Sequence, residues 1–289
     1  MKPRRVDLCK VTDADTDADV GKSNLTVRLL TSAVAVPLLL GLLFWGPPIG
    51  WAVLIFAASA LAASELYAMT VQGDRVAQGF GIVATLAVAL TVYFASHDAR
   101  AILTLAILIP LIGFLVPLFR AKDISSSGLR LMTMAAGPWY IGAMLTTTSL
   151  LRRDFGAGWV LLVLSIAWFA DTGGYFAGRR FGRAKLYPVV SPNKTWAGLY
   201  GALAGSTLAG AAASLIYLPK LPLIHGLLLG VLGGAIGQSG DLVESLLKRS
   251  VGAKDSGAII PGHGGILDRI DAVLFVAPVT YVYALWIQS

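Results

Sequence analysis

Apolar residues in this chain neither alternate nor keep to one face of a helix; they run on without interruption. Stretches free of Asp, Glu, Lys and Arg cover residues 29–64, 76–97, 101–119, 131–151, 195–219, 221–240 and 272–289. Each reaches at least about 18 residues, the length at which an apolar run reads as a membrane-spanning helix. The run 29–64 is long enough for two spans and is broken at Gly46-Pro47-Pro48. The pattern predicts about nine spans, near 27–45, 48–68, 77–95, 100–118, 129–151, 157–178, 196–218, 222–245 and 270–288. The expected fold class is all-α, a polytopic helical membrane protein. Its parts would be a disordered cytosolic tail (1–26), an amino-terminal set of spans (27–151) and a carboxy-terminal catalytic region (152–289).

Composition agrees. The 289 residues are 56% hydrophobic and 13% charged, against about 25% charged in an ordinary soluble domain. With a mean hydropathy of +0.73, a water-soluble globule, a disordered chain, a coiled coil and a disulfide scaffold are all excluded. Cys9 has no intrachain disulfide partner. Residues 1–24 carry basic charge but no apolar stretch, so they do not read as a cleavable signal peptide. Asp13, Asp15, Asp17 and Asp19 alternate with small residues, but Ala18 and Asn24 stand where an EF-hand loop needs glycine and glutamate. The stretch reads as a solvated tail.

The net charge of +7 is first a topology signal. With alternating loops, 19 of the 23 Lys and Arg residues fall on the side that holds the amino terminus. Only Arg100, Arg152, Arg153 and Lys220 fall on the other side. The positive-inside rule then puts the amino terminus in the cytosol and the carboxy terminus outside. Glycines inside the spans (Gly201, Gly205 and Gly210; Gly230, Gly233, Gly234 and Gly237) read as close helix packing.

Charge inside a span is costly, so each instance is a candidate for function. The first five spans hold Glu65 as their main carboxylate, and snorkelling to the interface accounts for it as well as any function does. The carboxy-terminal half differs. Asp171 lies two turns inside the sixth span, Asp241 and Glu244 close the eighth, and Asp268 and Asp271 open the ninth. Asp241, Glu244, Ser245 and Lys248 form one helical stripe, and Asp268 and Asp271 share a face at i, i+3. Before them, Pro261-Gly262-His263-Gly264-Gly265 would let backbone N–H groups approach an anion at a helix N-terminus. Asp241 and Asp268 could converge on Mg²⁺, which is typically held by one or two carboxylates plus substrate phosphates. Lys248, Arg249, Lys254 and Arg269 supply cations for phosphate oxygens. A second basic cluster, 179–185, leads into Ser191-Pro192-Asn193-Lys194-Thr195. There Pro192 is expected to fix a turn, Ser191 and Asn193 to cap, and Lys194 to place a compact cation at the start of a span. Anchoring by the positive-inside rule is the alternative for these cations, less so for Lys194.

These motifs resemble a known family. The run Ser245-Leu246-Leu247-Lys248-Arg249, then Lys254-Asp255-Ser256-Gly257, then Ile260 to Asp271 is similar to the signature of phosphatidate cytidylyltransferases, with no departure across its positions. The family's Ser-Pro-x-Lys-Thr element falls at Ser191 to Thr195, and a Gly-Asp-x-x-Glu-Ser element at Gly240 to Ser245. The resemblance covers roughly 165–289 and is only hydropathic before that. It implies an integral membrane enzyme that joins CTP and phosphatidic acid, releasing pyrophosphate and making CDP-diacylglycerol. It implies a Mg²⁺ site on Asp241 and Asp268, and, by likeness alone, a K⁺ ion beside it and a homodimer. Catalytic roles are expected of Asp241, Asp268, Lys248 and Lys194. Substrate contacts are expected of Ser191, Asn193, Lys194, Arg249, Lys254, Asp255, His263, Gly264, Gly265, Arg269, Asp271 and Asp171. Glu244 and Asp271 would also orient neighbouring cations. The expected setting is a bacterial inner membrane with the site at its cytosolic face, and no nucleic acid as partner.

The chemistry suits these residue types. Phosphatidate is a phosphomonoester with a second pKa near 6, so it is already a nucleophile at neutral pH. Positioning, charge neutralisation and a metal on the leaving pyrophosphate are what remain to be supplied. A CTP-dependent lipid kinase could use similar parts. A transporter using Asp171 would show two related halves with polar residues near the midplane, which this chain does not. A membrane scaffold would leave the carboxylates and lysines without purpose, and the Asp-Gly-x-x-Ala-Arg core of CDP-alcohol phosphotransferases is absent.

Overall fold

The computed structural model describes residues 33–121, 124–257 and 264–287. Ten α-helices and one small hairpin follow in order: α1 (Ala33–Trp45), α2 (Pro48–Thr70), α3 (Arg75–Phe94), α4 (Ala99–Phe119), α5 (Ser127–Gly137), α6 (Met144–Leu150), α7 (Ala157–Phe181), β1 (Lys185–Tyr187), β2 (Ser191–Thr195), α8 (Trp196–Ala212), α9 (Leu223–Ser250) and α10 (Leu267–Ile287). Among the described residues, seven helical segments are long and apolar enough to cross a membrane: α2, α3, α4, α7, α8 with its extension to Tyr217, α9 and α10.

The two remaining expected spans take other forms. Helix α1 has 13 described residues, about 20 Å at 1.5 Å per residue, which is short of a hydrocarbon core of about 30 Å. Its expected first turns, like the expected tail and Cys9, lie outside the described residues. The segment 127–155 is continuous but changes pitch twice, through π-helical stretches at Pro138–Ala143 and Leu151–Phe155. Pro138 has no N–H to give to the helical ladder, which accounts for the first irregularity.

Helix ends follow local chemistry. Pro48 sits in the first turn of α2, where its missing N–H is no loss. Asp74 caps α3 by accepting from Ala77 N, and Asp98 caps α4 by accepting from Arg100 N and Ala101 N. Arg152 donates to the carbonyls of Leu43 (2.8 Å) and Gly46 (3.1 Å), tying the end of the broken helix to the end of α1. The largest buried side chains, among them Trp51, Leu66, Tyr67, Met134, Leu162, Ile166 and Leu267, belong to one cluster. The amino- and carboxy-terminal halves therefore share a core.

The span glycines pack as expected. A Cβ at Gly173 would stand 2.3 Å from the Gly201 carbonyl oxygen, and one at Gly205 2.2 Å from the Phe169 carbonyl. At the next crossing, a Cβ at Gly210 would stand 2.0 Å from the Gly226 carbonyl. Helices α7, α8 and α9 thus meet backbone to backbone, and α10 packs against α9. This seam forms the base of the site.

The fold is all-α as expected, with one small strand pair between α7 and α8 that the sequence did not announce. Lys185 pairs with Thr195 and Tyr187 with Ser191 in an antiparallel hairpin. Pro192 does not make the turn; it lies within β2, and the chain reverses at 188–190. Neither Ser191 nor Asn193 caps α8. Thr195 does, accepting from Gly198 N at 3.1 Å.

Candidate active site

Two clusters of charge meet at one end of the seam. The first surrounds a cavity of about 380 Å³ lined by Asp171, Tyr175 and Arg179 of α7, Asn193 and Lys194 of β2, and Gln238 and Asp241 of α9. The hairpin delivers Lys194 across the mouth of α9. Its Nζ lies 2.7 Å from Asp241 Oδ2 and donates to Gln238 Oε1 at 3.2 Å. Ser245, one turn beyond Asp241, donates to its Oδ1 at 3.3 Å. On α7, Arg179 donates to Tyr175 Oη at 2.9 Å. Asp171 and Asp271 both stand within electrostatic reach of Asp241 and Lys194, and Arg269 within reach of Asp171. The wall is thus acidic and cationic at once, as a site for a metal-bound polyphosphate must be.

The second cluster is built on the signature. Lys248 Nζ sits between Glu244 Oε2 (2.5 Å) and Asp268 Oδ1 (2.6 Å). Glu244 and Lys248 meet because they are one turn apart on α9. Asp268 Oδ2 accepts from Ser256 N (3.0 Å), Ser256 Oγ (2.8 Å) and Gly265 N (3.0 Å). Gly264 allows this through a positive φ of 81°. Asp268 therefore fastens both ends of the loop that joins α9 to α10.

The structure brings together most of the expected residues, but not all. Asp241, Lys194, Asn193 and Asp171 share the cavity, and Lys248, Asp268, Gly264 and Gly265 share the loop cluster. Asp271 does not join Asp268; its Oδ1 accepts from its own helix at Ala272 N. Arg249 is turned to the Ala253 carbonyl at 2.9 Å. Lys254 and Asp255 are exposed on the loop, and Ser191 begins β2 outside the cavity lining. His263 lies outside the described residues. Sequence reasoning passed over Gln238, counted Arg179 only within the basic cluster and quoted Ser256 only within the signature. Gln238 had a signal, since it lies one turn before Asp241 on the same stripe. The snorkelling reading of Glu65 is corrected outright: the residue is 4% exposed and faces the loop, not the interface.

Could a divalent ion be held here? Among the described residues, no group of three or more His, Cys, Asp or Glu side chains is gathered closely enough to hold one unaided. Mg²⁺ needs less than that when substrate phosphates complete its shell. Asp241 Oδ1 receives the long Ser245 bond, and Asp268 Oδ1 lies against Lys248, with Glu244 beside it. The Asp241 carboxylate, beside the cavity and with acceptor capacity left, is of the type such an ion takes, whereas Asp268 stands with Lys248 outside the cavity lining.

The sequence model of the Cytidylyltransferase family matches residues 26–287. Among curated relatives, the phosphatidate cytidylyltransferase of Brucella suis biovar 1 (strain 1330) is 42% identical over 155 residues, covering 52% of this chain and 56% of its own length. That of Bacillus subtilis (strain 168) is 42% identical over 128 residues, covering 44% and 48%. That of Staphylococcus aureus (strain COL) is 45% identical over 139 residues, covering 47% and 52%. The chain spans about half the length of the curated relatives it matches. Because the family match runs from the first expected span to the end of α10, taking in hairpin, seam and signature loop alike, the chain belongs to the Cytidylyltransferase family.

Proposed function

We propose that this chain transfers the CMP moiety of CTP to phosphatidic acid, giving CDP-diacylglycerol and pyrophosphate. The observation that carries the reading is the Lys194–Asp241 pair lining the cavity, with the Lys248–Asp268 pair about two turns further along α9. A non-bridging oxygen of the phosphatidate monoester attacks the α-phosphorus of CTP. The bond from that phosphorus to the bridging oxygen breaks, and pyrophosphate leaves with its electrons. No side-chain base is needed, since the nucleophile is already ionised at neutral pH.

In this reading Lys194 and Lys248 neutralise phosphate oxygens that would otherwise repel each other, and Asp241 and Asp268 would hold Mg²⁺. That ion would supply charge stabilisation on the leaving pyrophosphate. Arg179, Asn193 and Gln238 line the space for the nucleotide, and the Gly264-Gly265 backbone faces the phosphates. A K⁺ ion and a homodimer are proposed on family likeness alone.

The same reading extends to topology: nine spans, amino terminus in the cytosol, carboxy terminus outside, site at the cytosolic face of a bacterial inner membrane. The excess of Lys and Arg on one side supports it, as does the need for CTP and a lipid headgroup to meet at an interface. The purified chain, given phosphatidate with CTP labelled in the base or in the γ-phosphate, tests the reaction. Base label in lipid supports it. Lipid carrying the γ-phosphate alone points to a kinase, and label in neither overturns both.

A further inference from the structure

Glu65 lies on α2, in the amino-terminal half, about 200 positions from the signature, yet its carboxylate ends inside the signature loop. Oε1 accepts from Ile266 N at 3.0 Å, and Oε2 accepts from Leu267 N at 2.9 Å and Ser256 Oγ at 3.2 Å. Ile266 and Leu267 open α10, where backbone N–H groups have no helical partner. Ser256 Oγ is shared between Glu65 and Asp268, with its single proton serving one carboxylate at a time.

The loop is shaped around this side chain. A Cβ at Gly257 would stand 2.6 Å from Glu65 Oε1, and one at Gly265 2.6 Å from Oε2 and 2.0 Å from Ser256 Oγ. Gly257 and Gly265 thus leave open the space that the Glu65 carboxylate and the Ser256 hydroxyl occupy. A lone carboxylate taken out of water is costly unless its oxygens are filled, and here the loop backbone fills them. The same backbone turns Asp268 toward Lys248.

We propose that Glu65 is a positioning residue of the active site: it holds both ends of the signature loop and so sets where Asp268 and Lys248 stand. The proposal rests on the cytidylyltransferase reading above. It predicts that losing the carboxylate harms turnover more than it harms nucleotide binding or the bundle itself. In Glu65→Gln one acceptor becomes an NH₂ group that confronts a backbone N–H, with almost no change in volume.

The test compares wild type, E65Q and Asp74→Asn in detergent. Asp74 is an equally buried carboxylate of the same half, paired with Arg120 at 2.6 Å. E65Q should lose at least tenfold in kcat with KM for CTP changed less than about threefold. Its amide exchange should rise at least tenfold at Ile266 and Leu267, while exchange in α2 and α9 stays as in wild type. D74N should keep wild-type kcat. A wild-type kcat for E65Q, or equal losses in E65Q and D74N that follow their melting temperatures, overturns the proposal. Should E65Q fail to insert, Ser256→Ala removes the shared hydroxyl alone. A severalfold loss of kcat with local exchange then supports the anchor, and wild-type kcat overturns it. If wild type itself places no nucleotide in lipid, the cytidylyltransferase reading fails. Exchange at Ile266 and Leu267 then still decides the anchor, and unchanged exchange in E65Q refutes it.

Discussion

Lys194 Nζ and Asp241 Oδ2 lie 2.7 Å apart, one carried by the second strand of a hairpin and the other by a long apolar helix. The pair is partly exposed to the cavity, so its Coulomb energy alone is small. Its value is placement, since it fixes a compact cation where an anion would enter.

Lys194 is therefore the sharpest place to separate a site from an anchor. Lys194→Arg should insert normally and lose at least tenfold in kcat/KM, about 1.4 kcal/mol of transition-state binding, because a planar guanidinium does not replace a point charge. Lys194→Ala should lose more. Arg180→Lys, in the neighbouring basic cluster, should be silent, because anchoring counts either cation. Equal near-wild-type activity for K194R and R180K would leave the hairpin as an anchor.

Asp241 and Asp268 should answer alike in turnover and differently in stability. Replacing either with Asn should slow turnover roughly 10²–10³-fold, as loss of a preorganised electrostatic stabiliser does. The double variant should be little worse than either alone. Asp268→Asn should also lower the melting temperature, because it leaves loop donors unpaired at about 1–3 kcal/mol. Asp241→Asn should leave it nearly unchanged. Activity above about a tenth of wild type in a properly inserted variant would remove that carboxylate from the metal site.

Cys9 reports topology. Under the proposed orientation it should resist an impermeant maleimide in sealed cells and react once the membrane is opened. Labelling of sealed cells would put the site on the wrong face for CTP.

The glycine crossing can be tested without touching the chemistry. Gly210→Ala places a Cβ 2.0 Å from the Gly226 carbonyl, where no flexible side chain can yield. Helices α8 and α9 must separate, at about 1–3 kcal/mol for overpacking, and the melting temperature in detergent should fall by several degrees.

Long apolar runs, span glycines and the i, i+4 pairing of Glu244 with Lys248 were legible in the sequence, because each depends on spacing within one element. The hairpin was not: Ser-Pro-Asn is turn chemistry by composition, and only pairing with Lys185 to Tyr187 makes it a strand. Thr195 was hidden as a cap by the better-capping residues just before it. Glu65 stood out as the main carboxylate of the first five spans, but nothing local named its partner. A carboxylate near a helix end reads as interfacial until the fold brings a distant loop onto it. The pairing of Asp268 with Lys248 and Ser256 likewise depends on the fold, since the three lie on different elements.

The backbone contacts among α7, α8 and α9 bear on how the site would handle the ligands of the proposed reaction, which differ in bulk. Where glycine backbones touch at these crossings there is little side chain to compress or swing aside, so the cavity's rear wall is stiff. Any accommodation between a triphosphate and a bulkier lipid-linked diphosphate then falls to the front, where Lys194 and Asn193 ride on a two-stranded ribbon. Substrate discrimination would accordingly be altered by changing the length or stiffness of residues 186–190, and hardly at all by enlarging side chains that line the rear.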